Sequence, residues 1–219
     1  MKKLVIFDLD GTLLNTITDL GEACNYALAQ MGYPTHSTAA LTNMVGNGIT
    51  KLIERALPED ARTTRIIEAM RAKFLECYEV HLCDNTVPYP GIPELLTRLR
   101  EMNVAIAVAS NKYQGGVEKL IRHFFGNLDW AAVEGHRTGM PTKPDPSVVF
   151  SILSQHPTPK ADVLYVGDSG VDMETARRAC VTSCGVTWGF RTRHELVEKH
   201  ADYIVSTAED ILPLLDVSR

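Results

Sequence analysis

The stretch Leu4-Val5-Ile6-Phe7-Asp8-Leu9-Asp10-Gly11-Thr12 constrains this chain more than any other, because an apolar run of strand length stops abruptly at two carboxylates, a glycine and a hydroxyl. A short continuous apolar run bounded by a turn signal reads as a strand buried on both faces of a parallel sheet, with its chemistry delivered at the C-terminal end. Alternate residues of an extended segment share a face, so Asp8 and Asp10 start out side by side, and Gly11 permits the turn that follows. Two like charges about 4 Å apart repel by roughly 4 kcal/mol at an effective dielectric of 20, a cost that a divalent cation or a shared proton offsets. Oxygen-only ligands of this kind suit Mg²⁺, which binds through one or two carboxylates plus a substrate phosphate. The plainer alternative is a strand followed by an Asx turn with both acids solvated.

Beyond Thr12 the period changes. Leu20, Ala23, Ala27, Leu28 and Met31 recur at helical spacing, a second helical pattern runs from Ile49 to Leu57, and a third from Ile66 to Tyr78. Residues 16–82 therefore read as an all-helical domain inserted after the first strand, since one crossover helix needs far fewer residues. Its exit, residues 84–91, is rich in breakers and suits a hinge. From residue 92 helices alternate with the strands Val104–Ala109, Trp130–Val133, Val163–Val166, Ser183–Val186 and Tyr203–Val205, and a final helix runs through Leu212 and Leu215. The expected fold is α/β: a doubly wound parallel sheet built from residues 1–15 and 83–219, with the helical domain 16–82 inserted.

A chain of 219 residues with 45% hydrophobic side chains can bury a sizeable core. Its formal net charge of −5 is spread without long runs of either sign, which argues against a nucleic-acid partner or a membrane surface. No apolar run reaches the length of a membrane span or a signal peptide core, so the expected compartment is the cytoplasm. The expected partner is a small phosphorylated metabolite, and the expected assembly a monomer or small homo-oligomer. Five scattered cysteines suggest free thiols, with Cys180 and Cys184 as small core residues.

Three further polar groups stand where a parallel sheet would gather them with Asp8 and Asp10: Ser110-Asn111-Lys112, Lys143-Pro144-Asp145, and Gly167-Asp168-Ser169-Gly170-Val171-Asp172. Each alone has an ordinary explanation as a helix cap, a solvated lysine or acids at a helix start. Together they divide the work of phosphoryl transfer. Asp8 would be the carboxylate nucleophile, Asp10 the general acid and base, and Asp168 a metal ligand, with Asp172 orienting a metal-bound water. Ser110 and the N–H groups after Asp8, at Gly11 and Thr12, would hold phosphate oxygens with Asn111 and Lys112. Lys143 would add fixed positive charge. In the helical insertion, Asn47, Gly48 and Lys51 form the expected substrate contact, because Gly46-Asn47-Gly48 suits backbone close to a ligand and opens a helix. Arg137 and Arg191 are competing partners for a second anionic group.

With these four motifs in this order, Asp8-x-Asp10-Gly11-Thr12, Ser110, Lys143 and Gly167-Asp168-x-x-x-Asp172, the chain resembles the haloacid dehalogenase-like phosphohydrolases over essentially its whole length. The helical insertion looks like the cap of one subclass. Val45-Gly46-Asn47-Gly48, Ser110-Asn111-Lys112 and Gly185-Val186-Thr187-Trp188-Gly189-Phe190 are similar to segments of phosphoglycolate phosphatases. The resemblance implies that Asp8 ligates Mg²⁺ through its side chain and Asp10 through its main-chain carbonyl, beside Asp168 and Asp172. It implies hydrolysis of a phosphomonoester such as 2-phosphoglycolate through an aspartyl-phosphate. Asn15 departs from the acid that many relatives carry there. A phosphomutase or pyrophosphatase of the same superfamily is the alternative. A dehalogenase would lack the metal-assisting acids, a nicotinamide dehydrogenase would need a glycine-rich turn after the first strand, and a non-catalytic phospho-receiver would need no insertion.

Overall fold

A computed structural model of the chain describes residues 1–216. At its centre lies β1 (Leu4–Phe7), flanked by β4 (Ala105–Tyr113) on one side and β6 (Val163–Gly167) on the other; β5 (Ala132–His136), β7 (Thr182–Val186) and β8 (Tyr203–Val205) complete a sheet of order β5-β4-β1-β6-β7-β8. Every pairing is parallel, with Phe7 opposite Val108 and Val166. The period of two sends Val5 and Phe7 into one apolar layer and Leu4 and Ile6 into the other. All four are fully buried, which is worth about 1.5–3 kcal/mol per side chain and fixes the register that places Asp8 at the strand end.

Helices α5 (Ile92–Glu101), α6 (Gln114–Phe125), α7 (Ser147–Gln155), α8 (Gly170–Ala179) and α9 (Arg193–Glu198) alternate with these strands. Between β1 and β4 stand α1 (Ile17–Gln30), α2 (Thr38–Thr42), α3 (Ile49–Ala56) and α4 (Thr64–His81). Leu20, Ala23, Ala27 and Leu28 of α1 share a buried cluster with Met70, Phe74 and Tyr78 of α4. The two connections to the sheet pair with each other as short antiparallel strands, β2 (Leu14–Asn15) and β3 (Val87–Pro88). No helix among the described residues is long and apolar enough to cross a membrane.

The two connections are further joined by a buried carboxylate. Asp19, 2% exposed, accepts from the main-chain N–H of Asn85 (2.9 Å) and of Thr86 (2.8 Å), from the Thr86 hydroxyl (2.7 Å) and from the Asn85 side-chain amide (3.0 Å). Removing it would strand several donors at once, and hydrogen bonds to a charged acceptor are worth about 1.5–3 kcal/mol each. Asp19→Ala should therefore lower the unfolding free energy by about 3 kcal/mol in a urea titration; an unchanged midpoint would remove Asp19 from this role.

Several elements differ from their sequence-based expectations. The strand expected to stop at Ala109 continues to Tyr113, so Ser110, Asn111 and Lys112 belong to β4, with a register irregularity between Ala109 and Tyr113. The strand expected at Trp130–Val133 begins at Ala132. The last helix is a 3₁₀ segment, Glu209–Asp216, with Pro213 inside it. Cys184 is buried as expected, but Cys180 is exposed: it closes α8 with φ 59°, at a helix end rather than in the core.

Candidate active site

Asp8 follows directly on β1 and donates its main-chain N–H to Val166 O at 2.9 Å. One of its carboxylate oxygens, Oδ1, receives Lys143 Nζ at 2.8 Å. The same ammonium donates to Asp172 Oδ1 at 2.7 Å and Ala109 O at 2.9 Å, so its three protons meet three acceptors drawn from separate parts of the chain. Lys143 is only 4% exposed. Burial alone would pull its pKa down, but Asp172 and Asp8 outweigh burial and hold it well above the usual lysine range. Burial is also the main influence on Asp8, whose pKa rises from 3.8 to about 7 despite the lysine, with Asp172 adding to the rise.

Asp168, at the end of β6, is 2% exposed and accepts from Phe190 N–H at 2.7 Å. Its pKa is raised well above the carboxylate range by burial, then by Asp172 and Asp8. Gly11, at φ 91°, makes this approach possible: a Cβ there would lie 2.5 Å from Asp168 Oδ2. Oxygens of Asp8, Asp168 and Asp172 lie within 4.8 Å of one another, a group able to hold a metal ion. Beside them is a cavity of about 10 Å³, lined by Asp8, Asp10, Lys143, Asp168 and Asp172 among others. Buried carboxylate oxygens around a space no larger than a single water fit a small hard cation.

Within that group Asp172 is the most heavily occupied. Lys143 Nζ and the Tyr165 hydroxyl (3.3 Å) donate to its Oδ1, while the Ser169 hydroxyl (2.6 Å) and N–H (3.2 Å) donate to Oδ2. Four hydrogen bonds thus fix both of its oxygens. Asp172, expected beside Asp168 at the metal, stands in the cluster with Asp8 and Asp168, and it also orients Lys143 and forms the capping box of α8 with Ser169. The Asp10 side chain is held in place by Lys112 Nζ, which reaches its two oxygens at 2.8 and 2.9 Å, and by Thr16 Oγ1, which donates at 2.7 Å.

A second cavity, of about 40 Å³, opens between the sheet end and the helices. Asp8, Asp10, Ser110, Asn111 and Lys112 line it from the sheet. Leu20, Val45, Ile49 and Leu52 line it from the helices, with the backbone of Gly46 and Gly48. Ser110 lines this cavity together with Asp8, and its Oγ accepts from Lys112 N–H at 3.2 Å. Thr12 is buried and donates its hydroxyl toward Asp168 Oδ1 at 3.5 Å.

Of the expected substrate contacts, Lys112 lines the cavity but is paired, and Lys51, Asn47 and Arg137 are placed elsewhere. Lys112 spends its charge on Asp10. Lys51 is exposed and pairs with Glu54 at 2.6 Å, one helical turn on. Asn47 accepts from Arg55 Nη2 at 2.8 Å. Arg137 pairs with Glu134 and lines a neighbouring cavity. Sequence reasoning missed Thr16, Asp19 and Tyr165; a threonine just ahead of a helix is a readable signal for the first, the partners of Asp19 lie 66 and 67 residues away, and Tyr165 reads as one more apolar residue of a buried strand.

Residues 5–186 match the profile of the haloacid dehalogenase-like hydrolases. The chain belongs to that family. A phosphoglycolate phosphatase of Pseudomonas syringae pv. tomato is 30% identical over 218 residues, covering 97% of this chain and 79% of that protein. One from Mannheimia succiniciproducens is 29% identical over 97% of this chain and 98% of its own length. A crystal structure from Haemophilus somnus, described as a predicted phosphoglycolate phosphatase, superposes with a TM-score of 0.90 at 27% identity and covers 97% of each chain. The family and these relatives make the protein an enzyme, a phosphatase of the haloacid dehalogenase-like hydrolases.

Proposed function

We propose that the protein is a Mg²⁺-dependent phosphomonoester hydrolase that works through an aspartyl-phosphate on Asp8, with 2-phosphoglycolate as its substrate. The observation that carries this reading is the Lys143 ammonium, fixed between Asp8 and Asp172 at 2.8 and 2.7 Å beside a cavity that also receives Asp10 and Ser110. Phosphoryl transfer asks mainly for positioning and charge neutralisation, and this arrangement offers both. Asp8 attacks phosphorus in line and Asp10 protonates the leaving oxygen. In the second half Asp10 takes a proton from water, which attacks the same phosphorus and frees Asp8. Lys112 and Thr16 hold Asp10 in place for both halves. Asp8, Asp168 and the Asp10 main-chain carbonyl would hold Mg²⁺, which when bound supplies positive charge to the phosphate oxygens.

The 40 Å³ cavity favours a small leaving group, and the relatives named as phosphoglycolate phosphatases support glycolate. Lys51, Arg137 and Arg191 all have partners in the protein, so the insertion offers the glycolate carboxylate main-chain N–H groups at the start of α3. The residues 16–82 act in this reading as a cap over the site. The test is phosphate release across a panel of phosphorylated metabolites with Mg²⁺ or chelator. A kcat/KM for 2-phosphoglycolate at least tenfold above the other compounds is expected. A better substrate would replace glycolate, and no release from any compound would end the phosphatase reading.

Metal binding has its own readout. Three buried carboxylates repel one another, so a cation that binds the folded chain alone should stabilise it by about 2.7 kcal/mol at a hundred times its dissociation constant. At about 2–4 °C per kcal/mol for a chain of this size, Mg²⁺ should raise Tm at pH 8 by roughly 5–10 °C over chelator. The rise should vanish in Asp168→Ala. An equal rise in that variant would place the ion elsewhere.

A further inference from the structure

Arg191 lies between β7 and α9, yet its side chain ends on the helical segment. Nη1 donates to Thr42 O at 2.7 Å and Nη2 to Val45 O at 2.5 Å. These carbonyls belong to the end of α2 and the loop after it, where main-chain acceptors lack helical partners and a cation is favoured. Asn111, from β4, adds a third grip by donating Nδ2 to Gly46 O at 3.2 Å. One side chain from the loop after β7 and one from β4 thus hold three carbonyls of the segment Thr42–Gly46. Close packing accompanies the grip: a Cβ on Gly48 would lie 3.1 Å from Asn111 O.

Asn111 also faces the other way. Its Oδ1 accepts from Lys143 N–H at 2.8 Å and its Nδ2 donates to Lys143 O at 3.2 Å, so one amide clamps the main chain of the residue whose ammonium binds Asp8. We propose that Arg191 and Asn111 are positioning residues that tie seating of the helical segment to the placement of Lys143, Arg191 as the clasp and Asn111 as the link. This rests on the phosphatase reading above. Both terminal nitrogens of Arg191 are engaged by the protein and its Nε lies 3.9 Å from Glu195, so its work is independent of the leaving group's charge.

Arg191→Met keeps the stem and removes the donors; Arg191→Lys keeps a charge but loses the planar fork that serves two carbonyls. Steady-state kinetics on 2-phosphoglycolate and on an aryl phosphate would be combined with small-angle scattering of the ligand-free proteins, with circular dichroism as the check on folding. For Arg191→Met we expect kcat/KM to fall at least tenfold and by the same factor on both substrates, the radius of gyration to increase, and Arg191→Lys to recover part of each. A loss confined to the carboxylated substrate would make Arg191 a substrate ligand and overturn the clasp. Unchanged scattering would overturn it whatever the kinetics. If the parent hydrolyses no phosphomonoester, the phosphatase reading fails by itself, and the scattering comparison still decides the clasp.

Discussion

Asp8→Asn is expected to lower kcat more than a hundredfold, a transition-state loss above roughly 2.7 kcal/mol, while melting no lower than the parent in chelator at pH 8. The amide keeps the shape of the carboxylate but is no nucleophile. The stability half follows from the raised pKa. The folded state holds the Asp8 proton up to about pH 7, whereas the unfolded chain releases it near 3.8, so folding binds a proton between these values. Stability from this group is therefore lost as pH rises through that window, and above it the parent carries a buried charge that the variant lacks. Thermal melts at pH 4 and pH 8 check the sign: the variant's advantage should appear only at the higher pH. A variant that retains more than a hundredth of kcat would place the nucleophile elsewhere.

Lys143→Met should be damaging on both counts. It removes a cation that touches Asp8 and Asp172 together, and breaking a buried ion pair on one side costs about 3–5 kcal/mol because the partners stay behind as uncompensated charges. We expect a urea midpoint lowered by that amount at pH 8 and kcat down at least a hundredfold. Part of the lost stability should return at pH 5, where Asp8, its pKa raised by burial, takes up a proton. Mg²⁺ should return part of it as well. A variant as stable as the parent at pH 8 would show that the lysine does not organise the cluster.

The position of the site was legible because a strand buried on both faces leaves so little choice: four apolar residues followed by Asp8 can only deliver that aspartate at the sheet end. Lys143 and Asp168 were legible for the same reason, through strands and loops that a doubly wound sheet must bring together. The pairing of Lys112 with Asp10 was not legible, because the two residues are 102 apart in sequence and meet only through the neighbouring strands β1 and β4. Lys51 and Arg137 show a readable signal that was passed over, an acid three residues away in each case: Glu54 after Lys51 and Glu134 before Arg137. Asp19 and Arg191 were hidden for a different reason. Their partners lie 66 and about 149 residues away, and nothing local marks an aspartate that will hold a linker or an arginine that will hold a carbonyl.

The central claim is that phosphate passes through Asp8, and the stereochemical course at phosphorus tests it most directly. Each in-line displacement inverts the phosphorus centre. Transfer to Asp8 followed by transfer to water therefore returns the original configuration, whereas direct attack by water inverts it once. With a phosphomonoester substrate made chiral by oxygen isotopes and sulfur substitution, hydrolysis in isotopically labelled water should give inorganic thiophosphate with net retention. Net inversion would contradict the aspartyl-phosphate account.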